Sequence, residues 1–244
     1  MLIYIFIIGF IIKYLYYFNI KVDIKCSPDI IINPGGNMGF YNLGICHYIK
    51  NHYDISNKVV HGFSSGSINS IFLALNKKYD NLFLSKLFSL NLNTNMKLSY
   101  LMSETIKIMN DINIKELDMK NKYIITLNNL NTIKANNIFL NKESLINCCK
   151  SSCFIPLVSS NQFVNYYDNY LCFDSGFVFK KYKQYIGINK KLFIGYKMFQ
   201  RFKYTLNGYG LVKHNYSVYD LYLLGYKDSE NNKCLLDYYF NSSI

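Results

Sequence analysis

The sequence is poor in arginine and has no Cys-x-x-Cys pair. Arg201 is the only arginine among 27 basic residues, although the formal net charge is +12. Arginine is the planar, bidentate side chain that favours phosphate and base-edge recognition, so its scarcity argues against nucleic acid. The charge instead indicates attraction to an anionic membrane surface, or solvation of the surface by lysine.

Prolines are also few, and the cysteines follow no regular pattern. The seven cysteines lack the spacing of a disulfide framework. Cys148, Cys149 and Cys153 lie close together, but no second ligand pair follows at finger-like spacing. We therefore predict buried free thiols, no metal site and a reducing compartment.

The first 25 residues are the most apolar part of the chain. Residues 1–12 form an unbroken apolar run that Lys13 interrupts. A span of about 20 apolar residues crosses a bilayer, and a central lysine costs about 2.5 to 3.5 kcal/mol. Because no basic region precedes the run and no cleavage site follows it, a cleaved signal peptide is disfavoured. We predict a membrane-seeking segment over 1–25, in preference to one packed on the domain, and one domain over 26–244.

Strand and helix patterns alternate along this domain, with β-branched runs before tight loops and apolar residues at helical spacing after them. The predicted elements are strand 29–33, helix 39–50, strand 58–63, helix 65–75, a mostly helical stretch 77–109, strand 123–127, helix 144–152, strand 170–173 and strand 192–196. Residues 209–224 match no clear pattern. The alternation predicts an α/β fold with a parallel sheet and helices on its faces.

Residues 62–66, with the sequence GFSSG, fit the G-x-S-x-G nucleophile elbow. The motif follows an apolar strand and precedes an amphipathic helix, which is the context that an elbow requires. Gly62 and Gly66 let neighbouring backbone approach where a Cβ would clash. The pattern predicts that Ser64 is a catalytic nucleophile; an ordinary Gly/Ser turn is the alternative.

A second glycine-rich loop, PGGNMG at 34–39, lies between the preceding strand and its helix. Backbone amides at such a loop bind either a phosphate or the oxyanion of a tetrahedral intermediate. The loop lacks the Gly-Lys-Ser/Thr ending of a P-loop. Because it comes one strand before the elbow, the pattern favours an oxyanion hole.

A carboxylate follows a later apolar strand, in the sequence DSG at 174–176. Asp174 at the end of a strand can stand clear of the sheet and meet a serine hydroxyl. Asp-x-Gly turns are common in proteins, so this motif alone indicates an ordinary turn. Together with the other two motifs it indicates a catalytic aspartate.

Together these motifs make the sequence resemble the patatin-like phospholipase family. The resemblance rests on PGGNMGFYNLG at 34–44, GFSSGSINS at 62–70, SSCFIPLV at 151–158, DSG at 174–176 and, more loosely, DLYLLGYKD at 220–228. Its order and spacing cover about residues 30–176.

The resemblance implies a three-layer α/β/α fold with a mainly parallel central sheet and a Ser-Asp dyad without histidine. Ser64 would be the nucleophile and Asp174 its base. The amides of Gly35, Gly36 and Asn37 would form the oxyanion hole. The expected reaction is hydrolysis of a phospholipid or another lipid acyl ester through an acyl-enzyme, at a membrane and without metal or cofactor. Gly39, Gly62, Gly66 and Gly176 complete the matching motif positions.

The chain departs from the family pattern at three positions. Pro34 replaces a glycine and so removes one amide donor, Met38 replaces a basic residue, and Ser175 replaces the glycine after the aspartate. If position 175 needs a positive φ, serine there costs about 1 to 3 kcal/mol. These departures keep open a lipid-binding protein that has lost turnover.

The order of the polar residues also permits a catalytic triad. Ser64, Asp174 and His214 follow one another in the order of an α/β-hydrolase triad. The polar neighbours of His214 favour a solvated histidine instead. Acyl transfer to an acceptor other than water uses the same dyad as hydrolysis, so the sequence leaves both reactions open.

Overall fold

The computed structural model describes residues 9, 19–187, 190–206 and 209–241. The predicted membrane-seeking segment therefore lies mostly outside the described residues, since only Gly9 and residues 19–25 of it are included. Within the described residues, no helix is both long and apolar enough to cross a membrane.

Short strands alternate with helices along the described chain. The strands are β1 (Lys21–Asp23), β2 (Ile30–Ile32), β3 (Val60–Phe63), β4 (Lys122–Asn128), β5 (Thr132–Asn136), β6 (Tyr166–Tyr167), β7 (Tyr170–Phe173) and β8 (Leu192–Ile194). The helices are α1 (Gly39–His52), α2 (Ser65–Ala74), α3 (Asp80–Ser89), α4 (Leu98–Asn110), α5 (Lys142–Ser152), α6 (Phe179–Ile186), α7 (Val218–Asn231) and α8 (Lys233–Asn241).

The strands form one mixed sheet in the order β1-β5-β4-β3-β2-β8. Its central pairings, β8 with β2, β2 with β3 and β3 with β4, are all parallel. The pairings of β4 with β5 and with β7 are antiparallel. The predicted α/β class is confirmed, with a mostly parallel sheet and helices on both of its faces.

Strand β2 shows why the sheet needs helices on both faces. It consists of three isoleucines, and each is completely buried. Successive side chains of a strand point to opposite faces. Ile30 and Ile32 accordingly join the large core beneath α1, α2 and α7, whereas Ile31 packs in a smaller core with Tyr182 of α6.

Helix α1, which follows the glycine-rich loop, packs closely against α7. The contact depends on two glycines, because a Cβ on Gly44 would overlap the carbonyl oxygen of Tyr222, and one on Gly225 would overlap that of Tyr41. Such backbone proximity fixes the direction of α1 and therefore the position of the loop at its start.

Helix α7 begins within the segment 209–224, which matched no clear pattern, and extends beyond it to Asn231. Its start carries a capping box, in which the Ser217 side chain accepts a hydrogen bond from the Asp220 amide and Asp220 bonds back to the Ser217 amide. The Ser-x-x-Asp spacing is the signal that would have located this helix. The single arginine supports the same region, since Arg201 donates two hydrogen bonds, of 2.7 and 2.6 Å, to Asp228 of α7.

Candidate active site

Ser64 lies on a strained turn between β3 and α2. Its φ is +51° and its ψ is −126°, a conformation that L-residues rarely adopt and that is found where surrounding structure enforces it. A Cβ on Gly62 would overlap the carbonyl oxygen of Gly66, and one on Gly66 would lie 2.5 Å from that of Ile32. Both glycines of the motif are therefore sterically required.

The sheet brings Asp174 to this turn. Phe63 of β3 pairs with Ile125 of β4, and Phe173 of β7 pairs with Leu127 of β4. At both positions β5 occupies the opposite edge of β4, so β3 and β7 share one edge. Because β3 is parallel and β7 antiparallel to β4, their carboxyl ends face each other.

The residues that follow these two strand ends are in direct contact. The Ser64 hydroxyl donates a 2.7 Å hydrogen bond to Oδ2 of Asp174, and both residues are buried. Oδ1 of Asp174 accepts a 2.7 Å bond from the Gly176 amide. Burial raises the pKa of Asp174 to about 6, against the opposing effect of the bonds from Ser64 and Gly176. The carboxyl is thus ionised at neutral pH and close to the range in which proton transfer is efficient.

Two serines for which the sequence predicted no role hold the backbone of the nucleophile. The Ser64 amide donates to Oγ of Ser175 at 2.9 Å and to Oγ of Ser152 at 3.1 Å. Ser152 in turn donates to the Ile125 carbonyl at 2.6 Å. Only the serine pair in the SSCFIPLV segment hinted at this arrangement.

Ser175 does not carry the strain expected of a serine at a glycine position. It begins a 3-10 helix, Ser175–Val178, and it is not among the residues with a positive φ. Serine at this position therefore adopts no left-handed backbone conformation and carries no strain from one. Its hydroxyl instead accepts a hydrogen bond from the Ser64 amide.

The glycine-rich loop lies beside the elbow and forms a 3-10 turn, Gly36–Met38. Of the three amides expected to form the oxyanion hole, that of Gly35 donates to Oγ of Ser65 at 3.0 Å, so it is engaged within the protein. Among the described residues, the amides of Gly36 and Asn37 have no acceptor. These two donors remain for a ligand.

The chain at 210–212 fixes the conformation of this turn. Gly36 has a φ of +52°, and a Cβ on it would lie 2.5 Å from the carbonyl oxygen of Gly210. The Asn37 side chain donates to the carbonyl oxygens of Thr94 at 3.2 Å and Val212 at 3.5 Å. The turn is therefore held from both sides.

His214 contributes its backbone to the same region, because its carbonyl oxygen accepts a 2.9 Å bond from the Thr94 hydroxyl. The hydrogen bond between Ser64 and Asp174 is direct, so no imidazole stands between their hydroxyl and carboxylate.

Ser64, Asp174, Gly36 and Asn37 border a common cavity of about 60 Å³. Most of its remaining wall is apolar, because α1 to α4 contribute aliphatic and aromatic side chains. Such side chains include Leu43, Ile68, Phe83, Leu87, Leu101 and Met102. The site thus combines a serine hydroxyl, a buried carboxylate and two amides without an acceptor among the described residues with a narrow, mostly apolar space.

No protein-family model matches the chain, and no match was found among curated proteins or solved structures.

Proposed function

We propose that this protein is a serine acyl hydrolase of the patatin-like kind, which cleaves an acyl ester of a phospholipid or another lipid. The observation that carries this proposal is the 2.7 Å hydrogen bond from the strained Ser64 to the buried Asp174. A nucleophile in contact with its base is the feature that activates a serine hydroxyl. The free amides and the apolar cavity beside it support an acyl substrate.

Asp174 accepts the hydroxyl proton as Ser64 Oγ attacks the ester carbonyl carbon. The resulting oxyanion receives hydrogen bonds from the amides of Gly36 and Asn37, which favour the tetrahedral intermediate over the ester. Asp174 then returns its proton to the leaving alcohol. In the second half, Asp174 removes a proton from water, whose oxygen attacks the acyl carbonyl carbon. Asp174 then returns that proton to Ser64 Oγ as the bond between Oγ and the acyl carbon breaks and the carboxylic acid leaves.

The membrane surface is part of the same proposal. Leu211 borders the cavity and is 47% exposed, and the adjacent Val212 is 55% exposed. Lys213 follows them, and the whole chain has a net charge of +12. Exposed apolar residues next to lysine favour the surface of an anionic bilayer. We therefore expect turnover to be faster on anionic than on neutral liposomes.

The test is a lipid acyl-hydrolase assay with Ser64→Ala, Asp174→Asn and His214→Ala beside the wild type. We expect the first two to lose activity by about 10³-fold or more, and His214→Ala to retain most of it. Loss of activity in His214→Ala as well as in Asp174→Asn would indicate a triad. Ser85→Ala is the control, because Ser85 is exposed and bonds only within its own helix.

Labelling with a fluorophosphonate ester separates an enzyme from a lipid-binding protein. We expect Ser64 to be labelled in the wild type and in Ser85→Ala, and not in Ser64→Ala. Failure of the folded wild type to react, with lipid binding preserved, would overturn the proposal. Product analysis with an added lysolipid acceptor distinguishes hydrolysis from acyl transfer.

A further inference from the structure

One aromatic side chain separates the active-site cavity from a second pocket. Phe83 of α3 borders the cavity that contains Ser64, and it also borders a pocket of about 110 Å³ between α3 and α4. Its side chain is almost fully buried. Its ring packs against that of Phe72, with the ring centres 5.5 Å apart. Phe83 is thus a partition with space on both sides.

The two spaces follow one helix. Leu98, Leu101 and Thr105 of α4 border the active-site cavity, and this stretch of helix extends about 10 Å at 1.5 Å per residue. The Thr105 hydroxyl donates a 2.8 Å hydrogen bond to the Leu101 carbonyl of the same helix. Ile108, less than one turn further along α4, borders the second pocket. The two spaces therefore lie next to each other along α4, and Phe83 borders both of them.

On the basis of the proposed function, we infer that Phe83 is the floor of the acyl channel and determines the length of the acyl chain that the enzyme accepts. A chain that reaches the ring fills the cavity and buries its methylene groups. A longer chain has to displace the ring from its packing against Phe72 or leave its end outside the cavity. The wild-type enzyme is then selective for short and medium acyl chains.

Phe83→Ala tests this inference, because it joins the cavity to the second pocket. We would measure kcat/KM for nitrophenyl esters from butyrate to palmitate in detergent micelles, with active enzyme counted by fluorophosphonate labelling of Ser64. The ratio of palmitate to butyrate hydrolysis should rise at least about tenfold in Phe83→Ala, and Phe83→Leu should lie between it and the wild type. The control is Leu84→Ala, which removes a buried side chain of the same helix that does not border the cavity.

The outcomes distinguish this inference from the proposed function. If the wild type neither reacts with fluorophosphonate nor cleaves any ester, the proposed function fails. If the wild type does both, and folded Phe83→Leu and Phe83→Ala keep its palmitate-to-butyrate ratio, the inference about Phe83 is overturned. Leucine replaces the ring with a smaller apolar side chain and tests the same ratio at a smaller loss of packing. A rise of equal size in Leu84→Ala would also overturn it, because loosened packing of α3 would then explain the change.

Discussion

Phe63 and Phe173 end two strands that pair with the same edge of β4, at Ile125 and Leu127 respectively. The residues that directly follow these strands, Ser64 and Asp174, form the candidate dyad. Ser64 and Asp174 are therefore held by the ends of paired strands, which are more rigid than free loops. The geometry predicts that their contact persists without substrate.

The rate of the proposed reaction should depend on the ionisation of Asp174. Since burial raises the pKa of this carboxyl to about 6, and a base must be ionised to accept a proton, activity should rise with pH through that value. A profile of kcat/KM for a neutral soluble ester, between about pH 4 and about pH 8, measures this. A profile that stays flat through this range would rule out Asp174 as the base.

The same shift predicts an effect on stability. When folding raises the pKa of a carboxyl group, that group stabilises the protein at pH values below its pKa in the unfolded chain, which is near 3.8. The contribution is lost as the pH rises through the pKa in the folded protein, which is about 6. Asp174→Asn cannot ionise and avoids this loss. From about pH 4 to about pH 7 its free energy of unfolding should therefore improve relative to wild type by about 2 kcal/mol. Denaturant unfolding at several pH values measures the difference, and parallel curves would contradict it.

Gly36→Ala should lower kcat more than a glycine-to-alanine change at another position with a positive φ. Its φ is +52°, and the added Cβ would approach Gly210, so the turn that presents the free amides must move. Loss of one oxyanion donor lowers kcat by about 10² to 10³-fold. The matched control is Gly187→Ala, where φ is +70° and the added Cβ meets no atom of the described residues within 4 Å. Equal kcat values in the two variants would show that the turn is not the oxyanion hole.

Ser175→Ala should slow the reaction modestly, because the Ser64 amide keeps Ser152 as an acceptor. One lost hydrogen bond is worth about 1 kcal/mol, which corresponds to roughly a fivefold drop in kcat. The double variant Ser152→Ala/Ser175→Ala should raise the activation free energy by more than the sum of the two single effects. The reason is that the buried Ser64 amide is then left without an acceptor. Strictly additive effects in this double-mutant cycle would contradict a shared role.

Local periodicity located the elements around the site within a few residues. Strand β3, helix α2 and strand β7 lie where apolar runs, helical spacing and glycines predicted them. Two of the missed elements, β5 and α6, were missed for different reasons. Strand β5 mixes polar with apolar residues and pairs with β4 across the turn at 129–131, so no apolar run marks it in the sequence. Helix α6 interrupts its apolar residues with lysines, but Phe179, Tyr182 and Ile186 recur at helical spacing and pack in the smaller core. This spacing is the signal that would have located it.

The sequence alone determined the local chemistry: a serine between two glycines, a second glycine loop and an aspartate after an apolar strand. Those features depend on neighbouring residues, whose steric limits act over a few bonds. Only the tertiary structure decided that Ser64 meets Asp174 across 110 positions, that the Gly35 amide is engaged by Ser65 and that Phe83 borders two adjacent pockets. These relationships arise from strand pairing and side-chain packing between distant segments, which local patterns along the chain do not specify.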